Sequence, residues 1–165
     1  RTKAKRSHTM ANTYTQIHIH LVFAVQNRQC LIMEDWKDGL YKYITGIIQS
    51  HGHKMLQING MPDHIHILIG MRPTQGLSDL MKQVKQVKQN SSKWIKEHRF
   101  IKSKFSWQAG VGAFSYSKSQ IPLIIKYIQT QEEHHKKKSF REEYLEILDS
   151  FEIEYNEAYI FKPIL

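Results

Sequence analysis

Cysteine is nearly absent. Cys30 stands alone among 165 residues, so no internal disulfide can form, and a reducing cytoplasm is the simplest compartment to expect. Long apolar runs are missing as well. None reaches the roughly 18 residues of a membrane-spanning helix, and the basic N-terminus is not followed by the apolar core of a signal peptide. No proline-, glycine- or serine-rich linker and no repeat divides the chain. Its length therefore suggests one domain with a real core. Acid is in short supply, with 15 Asp and Glu against 24 Lys and Arg. Several catalytic patterns are absent too: the G-x-S-x-G elbow, the phosphate loop, the dinucleotide glycine pattern and any cysteine pair for zinc. Asp35, Asp38 and Asp63 make no paired-carboxylate pattern.

The excess of positive charge is partly terminal. "RTKAKRSHT" precedes Met10 and carries Arg1, Lys3, Lys5 and Arg6. It is polar and without periodicity, so residues 1–9 are set aside as a disordered or appended arm and residues 10–165 as the domain. Removing those four charges takes the net charge from +9 to +5. The remainder still favours a polyanionic partner.

Hydrophobic periodicity predicts the elements. Thr13 to Val25 is rich in β-branched and aromatic residues and reads as a strand. Leu40, Ile44, Ile47 and Ile48 recur at helical spacing until Gly52. "HKMLQING" is a short strand, Gly60, Met61 and Pro62 a turn, and "DHIHILIG" a strand. A long helix is expected from about Gln75 to Glu97, with a stripe of Leu77, Leu80, Val84, Val87, Ser91 and Trp94. "KFSWQAGVGAFSYS" reads as a glycine-interrupted strand or strand pair. A helix over 119–135 would start with Ser119 as N-cap and tolerate Pro122 in its first turn. A charged tail helix is expected at about Ser139 to Asp149. The order β-α-β-β-α-β predicts an α+β, ferredoxin-like antiparallel sheet with two helices on one face, followed by extra C-terminal helices.

The most apolar strand contains two histidines. Side chains alternate along a strand, so His64 and His66 share one face while Ile65 and Ile67 share the other. Two imidazoles at this spacing can hold one metal ion. Ten histidines make accidental pairs common, and His18 with His20 and His51 with His53 repeat the spacing. The 51/53 pair straddles a helix stop and reads as two solvated turn histidines. The 18/20 pair reads as half-buried sheet histidines. A third group is available on helix 119–135. There Ile121, Ile124, Ile125 and Ile128 form the buried stripe, and Tyr127 and Gln131 lie one turn apart on its flank. Tyr127 could be a nucleophile and Gln131 a carbonyl ligand. The bland alternative is a border tyrosine with a wet hydroxyl and a solvated glutamine.

A second signal is basic. Lys82, Lys85, Lys88, Lys93, Lys96, Arg99, Lys102 and Lys104 are accompanied by one acid, Glu97, and interleaved with Gln83, Gln86, Gln89, Asn90 and Trp94. This composition suits phosphate contacts with polar and aromatic contacts to bases. "HHKKK", from His134 to Lys138, is a second basic cluster.

"MPDHIHILIG", "WQAGVGAFSYS" and "YIQTQEEHHKKKSFREEYLEIL" resemble the small single-tyrosine HUH transposases of bacterial insertion sequences and their REP-associated relatives. The resemblance runs from about Met10 to Phe161. It implies that His64, His66 and Gln131 hold a divalent metal, Mg or Mn, and that Tyr127 is the catalytic tyrosine. It also implies cleavage and rejoining of single-stranded DNA at hairpins through a 5′-phosphotyrosine link, by a cytoplasmic and typically dimeric protein. Val111 departs from the family pattern, standing where an aromatic residue is expected. Two alternatives stay open: a replication initiator or relaxase with the same site, and a non-catalytic ferredoxin-like module that binds RNA or DNA.

Overall fold

The structure, a computed structural model, describes residues 15–160. The basic arm at residues 1–9, Thr13 and Phe161 lie outside them. Strand β1 is His18–Ala24, β2 Lys54–Met61, β3 His64–Gly70 and β4 Gly112–Tyr116. They form one antiparallel sheet in the order β2-β3-β1-β4. Helices α1 (Lys37–Ser50) and α2 (Leu77–His98) connect them in the ferredoxin-like sequence. Three further helices follow, α3 (Ile121–Gln129), α4 (Gln131–His135) and α5 (Phe140–Ser150).

Both faces of the central strands are covered, which explains why β1 and β3 read as nearly unbroken apolar runs. Ile19, Leu21, Phe23, Ile65, Ile67 and Ile69 pack with Leu40, Ile44 and Ile48 of α1 and Leu80, Val84 and Val87 of α2. On the opposite face Val22, Ala24 and Phe114 pack with Phe140 and Leu148 of α5, and Leu68 packs with Ile121 and Ile128 of α3. His20, His64 and His66 belong to this second face by alternation, and all three are fully buried. At Gly60 any side chain would collide with the His64 carbonyl, so a glycine lets β2 lie close to β3 beside the histidines.

Several expectations change on folding. The stripe of α2 is rotated: Leu77 is 54% exposed, Trp94 is half-buried and Ile95 is fully buried in its stead. Ser91 stays inward, its hydroxyl accepting a bond from Trp107 Nε1 at 2.8 Å. Trp94 instead stacks on Tyr43. The segment before β4 contributes only an isolated bridge, Trp107 to Val25. The helix expected over 119–135 is not continuous. A 3-10 turn at Lys118–Gln120 comes first, capped by Ser117 rather than Ser119. The chain then breaks at Thr130 (φ −101°, ψ 29°) between α3 and α4. The Thr130 hydroxyl takes the Lys126 carbonyl at 2.8 Å, competing with the backbone ladder as threonine does within helices. Asn59 of β2 satisfies the carbonyls left at the end of α3, donating to Ile128 O at 2.9 Å and Gln129 O at 3.2 Å. His53, expected in solvent, is buried between Gln83 Oε1 (2.6 Å) and the Arg72 amide (2.9 Å).

Candidate metal centre and nucleophile

Four elements converge on the second face of the sheet. β3 contributes His64 and His66, α3 Tyr127, α4 Gln131 and His135, and α5 Glu143. Gln131 is fully buried, unlike the solvated glutamine of the bland alternative, and its side-chain oxygen lies 3.1 Å from His64 Nε2. The Tyr127 ring meets the His66 ring edge-on at 5.8 Å. The sequence-predicted residues His64, His66, Gln131 and Tyr127 are thus neighbours within one chain.

The partners dictate where protons reside. His64 Nδ1 bonds the Asp63 carboxylate at 2.7 Å, while its Nε2 faces two acceptor oxygens, Gln131 Oε1 at 3.1 Å and Glu143 Oε1 at 3.5 Å. Both nitrogens face acceptors, which favours the protonated ring. Burial opposes that charge, but the hydrogen bonds from Asp63 and Glu143 prevail and raise its pKa above the ordinary histidine value. His66 differs. Burial lowers its pKa despite Glu143. Its Nε2 donates to Glu143 Oε1 at 2.9 Å, and its Nδ1 accepts from His20 Nε2 at 2.8 Å. His20 is neutral, its pKa lowered well below normal by burial and by His66. Its Nδ1 has no hydrogen-bond partner.

Glu143 joins the three histidines. Burial alone would raise its pKa, yet bonds from His135, His64 and His66 hold the carboxyl far below the usual carboxylate range. Phe140, one turn earlier on α5, stacks on the His64 ring at 3.9 Å. Tyr127 lines a cleft of ≈ 220 Å³ shared with Tyr116, His134, Lys138 and Glu143. Burial and the Glu143 charge raise its pKa above the ordinary tyrosine value, so the hydroxyl stays protonated near neutral pH. Of the two groups near Tyr127 in sequence, His134 packs on its ring at 4.7 Å, whereas Lys126 is exposed.

The donor set suits a divalent ion. Imidazole nitrogens, an amide oxygen and a carboxylate are ordinary ligands, and they are gathered in a buried spot. His64, His135 and Glu143 each offer a ligand atom within 4.8 Å of the others. From the sequence His20 reads as a half-buried sheet histidine, Asp63 as an unpaired carboxylate and His135 as part of a basic cluster, and Glu143 is not singled out. One signal was available for Glu143: it falls in the apolar stripe of the tail helix, between Phe140 and Leu148, where a carboxylate needs a partner.

The basic segment lies elsewhere. α2 packs on the face of the sheet opposite the histidines. Lys82, Lys85, Lys93, Lys96 and Arg99 are exposed, with Lys93 3.8 Å from Glu97. Lys88 is half-buried. Its ammonium bonds the Gln108 carbonyl at 2.9 Å and the Gly110 carbonyl and lies over the Phe23 ring, and burial lowers its pKa to about 8. Lys136, Lys137 and Lys138 are exposed, and Lys138 lines the Tyr127 cleft.

Residues 13–131 match the family described as transposase IS200 like. The chain belongs to that family. Over 120 residues it is 25% identical to the ISDra2 transposase TnpA of Deinococcus radiodurans, which spans 70% of this chain and 84% of that protein. A crystal structure of a Deinococcus radiodurans R1 protein described as a transposase superposes with a TM-score of 0.57 at 21% identity, covering 74% of this chain and 95% of that one. A REP-associated tyrosine transposase bound to a REP hairpin also superposes at 0.57, with 12% identity, covering 76% of this chain and 73% of that one. These two likenesses establish the shared fold. The match to the IS200-like family includes both strand histidines, Tyr127 and Gln131, and it ends before His135 and Glu143. No helix among the described residues is long and apolar enough to cross a membrane.

Proposed function

We propose that this IS200-like transposase cuts and rejoins single-stranded DNA at hairpin-bearing ends through Tyr127. The observation that carries the reading is the placement of the Tyr127 ring edge-on to His66 in the cluster that links His64 to Gln131. His64, His66 and Gln131 would hold Mg or Mn. Such an ion, when bound, supplies positive charge to the scissile phosphate and thereby favours attack on an anionic diester.

The remaining chemistry belongs to the side chains. Tyr127 Oη attacks phosphorus and displaces the 3′-oxygen of the preceding nucleotide. The proton that Tyr127 gives up is the one the departing 3′-oxygen needs to become a hydroxyl, and His134, packed against the ring, is placed to relay it. A tyrosyl phosphodiester retains the energy of the bond it replaces, so the free 3′-hydroxyl can reverse the step without ATP. Asp63 holds the His64 ring through Nδ1, and His20 holds His66 through Nδ1, leaving both Nε2 atoms aimed at the common spot. The approach of Tyr127 to His66 within one chain supports a tyrosine that acts in cis. The hairpin bound by the REP-associated relative supports a structured single strand as the substrate.

The test is covalent capture. Labelled hairpin single-stranded DNA with Mn should give a protein–DNA adduct that survives denaturation, and peptide mapping should place it on the peptide containing Tyr127. Tyr127→Phe removes one oxygen, so it should keep DNA binding and lose the adduct. An adduct that persists in that variant, or maps to Tyr116, would refute the assignment. Binding without any adduct, unaffected by a chelator, would favour the binding-module alternative.

A further inference from the structure

The metal site implied by the resemblance has three protein ligands, yet the most central atom of the cluster belongs to a fourth group. Glu143 Oε1 lies 2.9 Å from His66 Nε2 and 3.5 Å from His64 Nε2. Its other oxygen, Oε2, is occupied: the Gln131 amide donates to it at 3.3 Å and His135 Nε2 lies 3.3 Å away. The carboxylate is therefore fixed in one orientation, with Oε1 aimed at the two imidazoles. Adjacent ligands of an octahedral ion with bonds of about 2.1 Å stand about 3 Å apart. The separations between His66 Nε2 and Glu143 Oε1 (2.9 Å), His64 Nε2 and Gln131 Oε1 (3.1 Å), and His64 Nε2 and Glu143 Oε1 (3.5 Å) are of this size.

We infer that Glu143 is a fourth protein ligand of the metal, supplied by α5 beyond the segment that matches the family. The inference rests on the metal-site reading above. Its chemical consequence is charge. Two neutral imidazoles and an amide form an uncharged set, to which Glu143 adds one negative charge and a hard oxygen, the donor type that suits Mg and Mn. His135 then acts as a positioning residue. Its ring sits between the Lys138 carbonyl, 2.9 Å from Nδ1, and Glu143 Oε2, 3.3 Å from Nε2.

The experiment is Mn binding to the DNA-free, metal-stripped full chain, reading free Mn by electron paramagnetic resonance. Wild type should bind one ion, His64→Ala should lose it, and Glu143→Gln should bind at least tenfold more weakly with its far-ultraviolet spectrum unchanged. Glu143→Asp, which restores a carboxylate, should regain part of the affinity. If Glu143→Gln binds Mn within twofold of wild type while His64→Ala does not, Glu143 is no ligand and the three-ligand site stands. If wild type binds no Mn, or His64→Ala binds it equally well, the metal-site reading itself fails and this inference with it. Should Glu143→Gln not fold, isotope-edited infrared spectroscopy of wild type decides: a glutamate carboxylate stretch that Mn leaves unmoved overturns the inference.

Discussion

At the residue scale the decisive group is His64, because one nitrogen has two competing claimants. Its Nε2 faces Gln131 Oε1 and Glu143 Oε1, acceptors that favour a proton there, and on the metal-site reading the same atom binds the ion. A metal ion must replace that proton. The pKa of His64 is raised in the folded state. Its own contribution to stability is therefore fully present below pH 6.5, its ordinary value, and is lost as pH rises through the folded value. Metal stabilisation has the opposite slope. Saturating Mn should raise the melting temperature more at pH 8 than at pH 6, and calorimetry in buffers of different ionisation enthalpy should show release of about one proton per ion near the lower pH. His64→Ala should abolish both effects, and His18→Ala, outside the cluster, should abolish neither. A melting shift that is the same at both pH values would place the metal elsewhere.

At the element scale, two basic segments compete for the DNA. The lysines of α2 are numerous, but α2 is separated from the histidines by the thickness of the sheet. Lys88 is further committed to two backbone carbonyls. Lys136, Lys137 and Lys138 follow directly on α4, and Lys138 lines the Tyr127 cleft. Single-strand affinity falls with salt at a log–log slope of roughly −0.7 per phosphate neutralised. Exchanging Lys136 and Lys137 for Gln should flatten that slope by about one unit and weaken cleavage. Exchanging the exposed Lys82, Lys85 and Lys93 should flatten it only if the DNA wraps to the far face. The comparison of the two variants locates the DNA path. An unchanged slope in both would put the phosphate contacts on neither segment.

At the scale of the whole molecule, α5 does two things with one face. Phe140 and Leu148 seal the second face of the sheet, and Glu143 between them enters the site. Burying each of those apolar side chains is worth about 1.5–3 kcal/mol, against a total stability of roughly 5–15 kcal/mol for a domain. A chain ending at Lys138 should melt more than about 10 °C lower or lose its cooperative transition by circular dichroism. An unchanged melt would show that the sheet does not need this cover.

Much of this was legible in the chain itself. The alternation of His64 and His66 with Ile65 and Ile67, the periodicity of α1 and α2 and the order of the elements depend on local spacing, and local spacing determined the ferredoxin-like fold and the sharing of one face by the two histidines. The placement of Tyr127 one turn before Gln131 is local as well. The break at Thr130 was not legible, because a threonine within a helical pattern bends the chain only where its hydroxyl takes the preceding turn's carbonyl. Long-range neighbours were not legible either. His20 meets His66 because β1 pairs with β3, and Glu143 meets both histidines because α5 folds back over the sheet. Those contacts join residues 46 and 77 positions apart. Sequence alone determined which elements form and named His64, His66, Gln131 and Tyr127 as candidates for a metal and a nucleophile. Tertiary structure decided which of them share a buried point, because charges and imidazoles removed from water are stable only beside the partners that the fold brings to them.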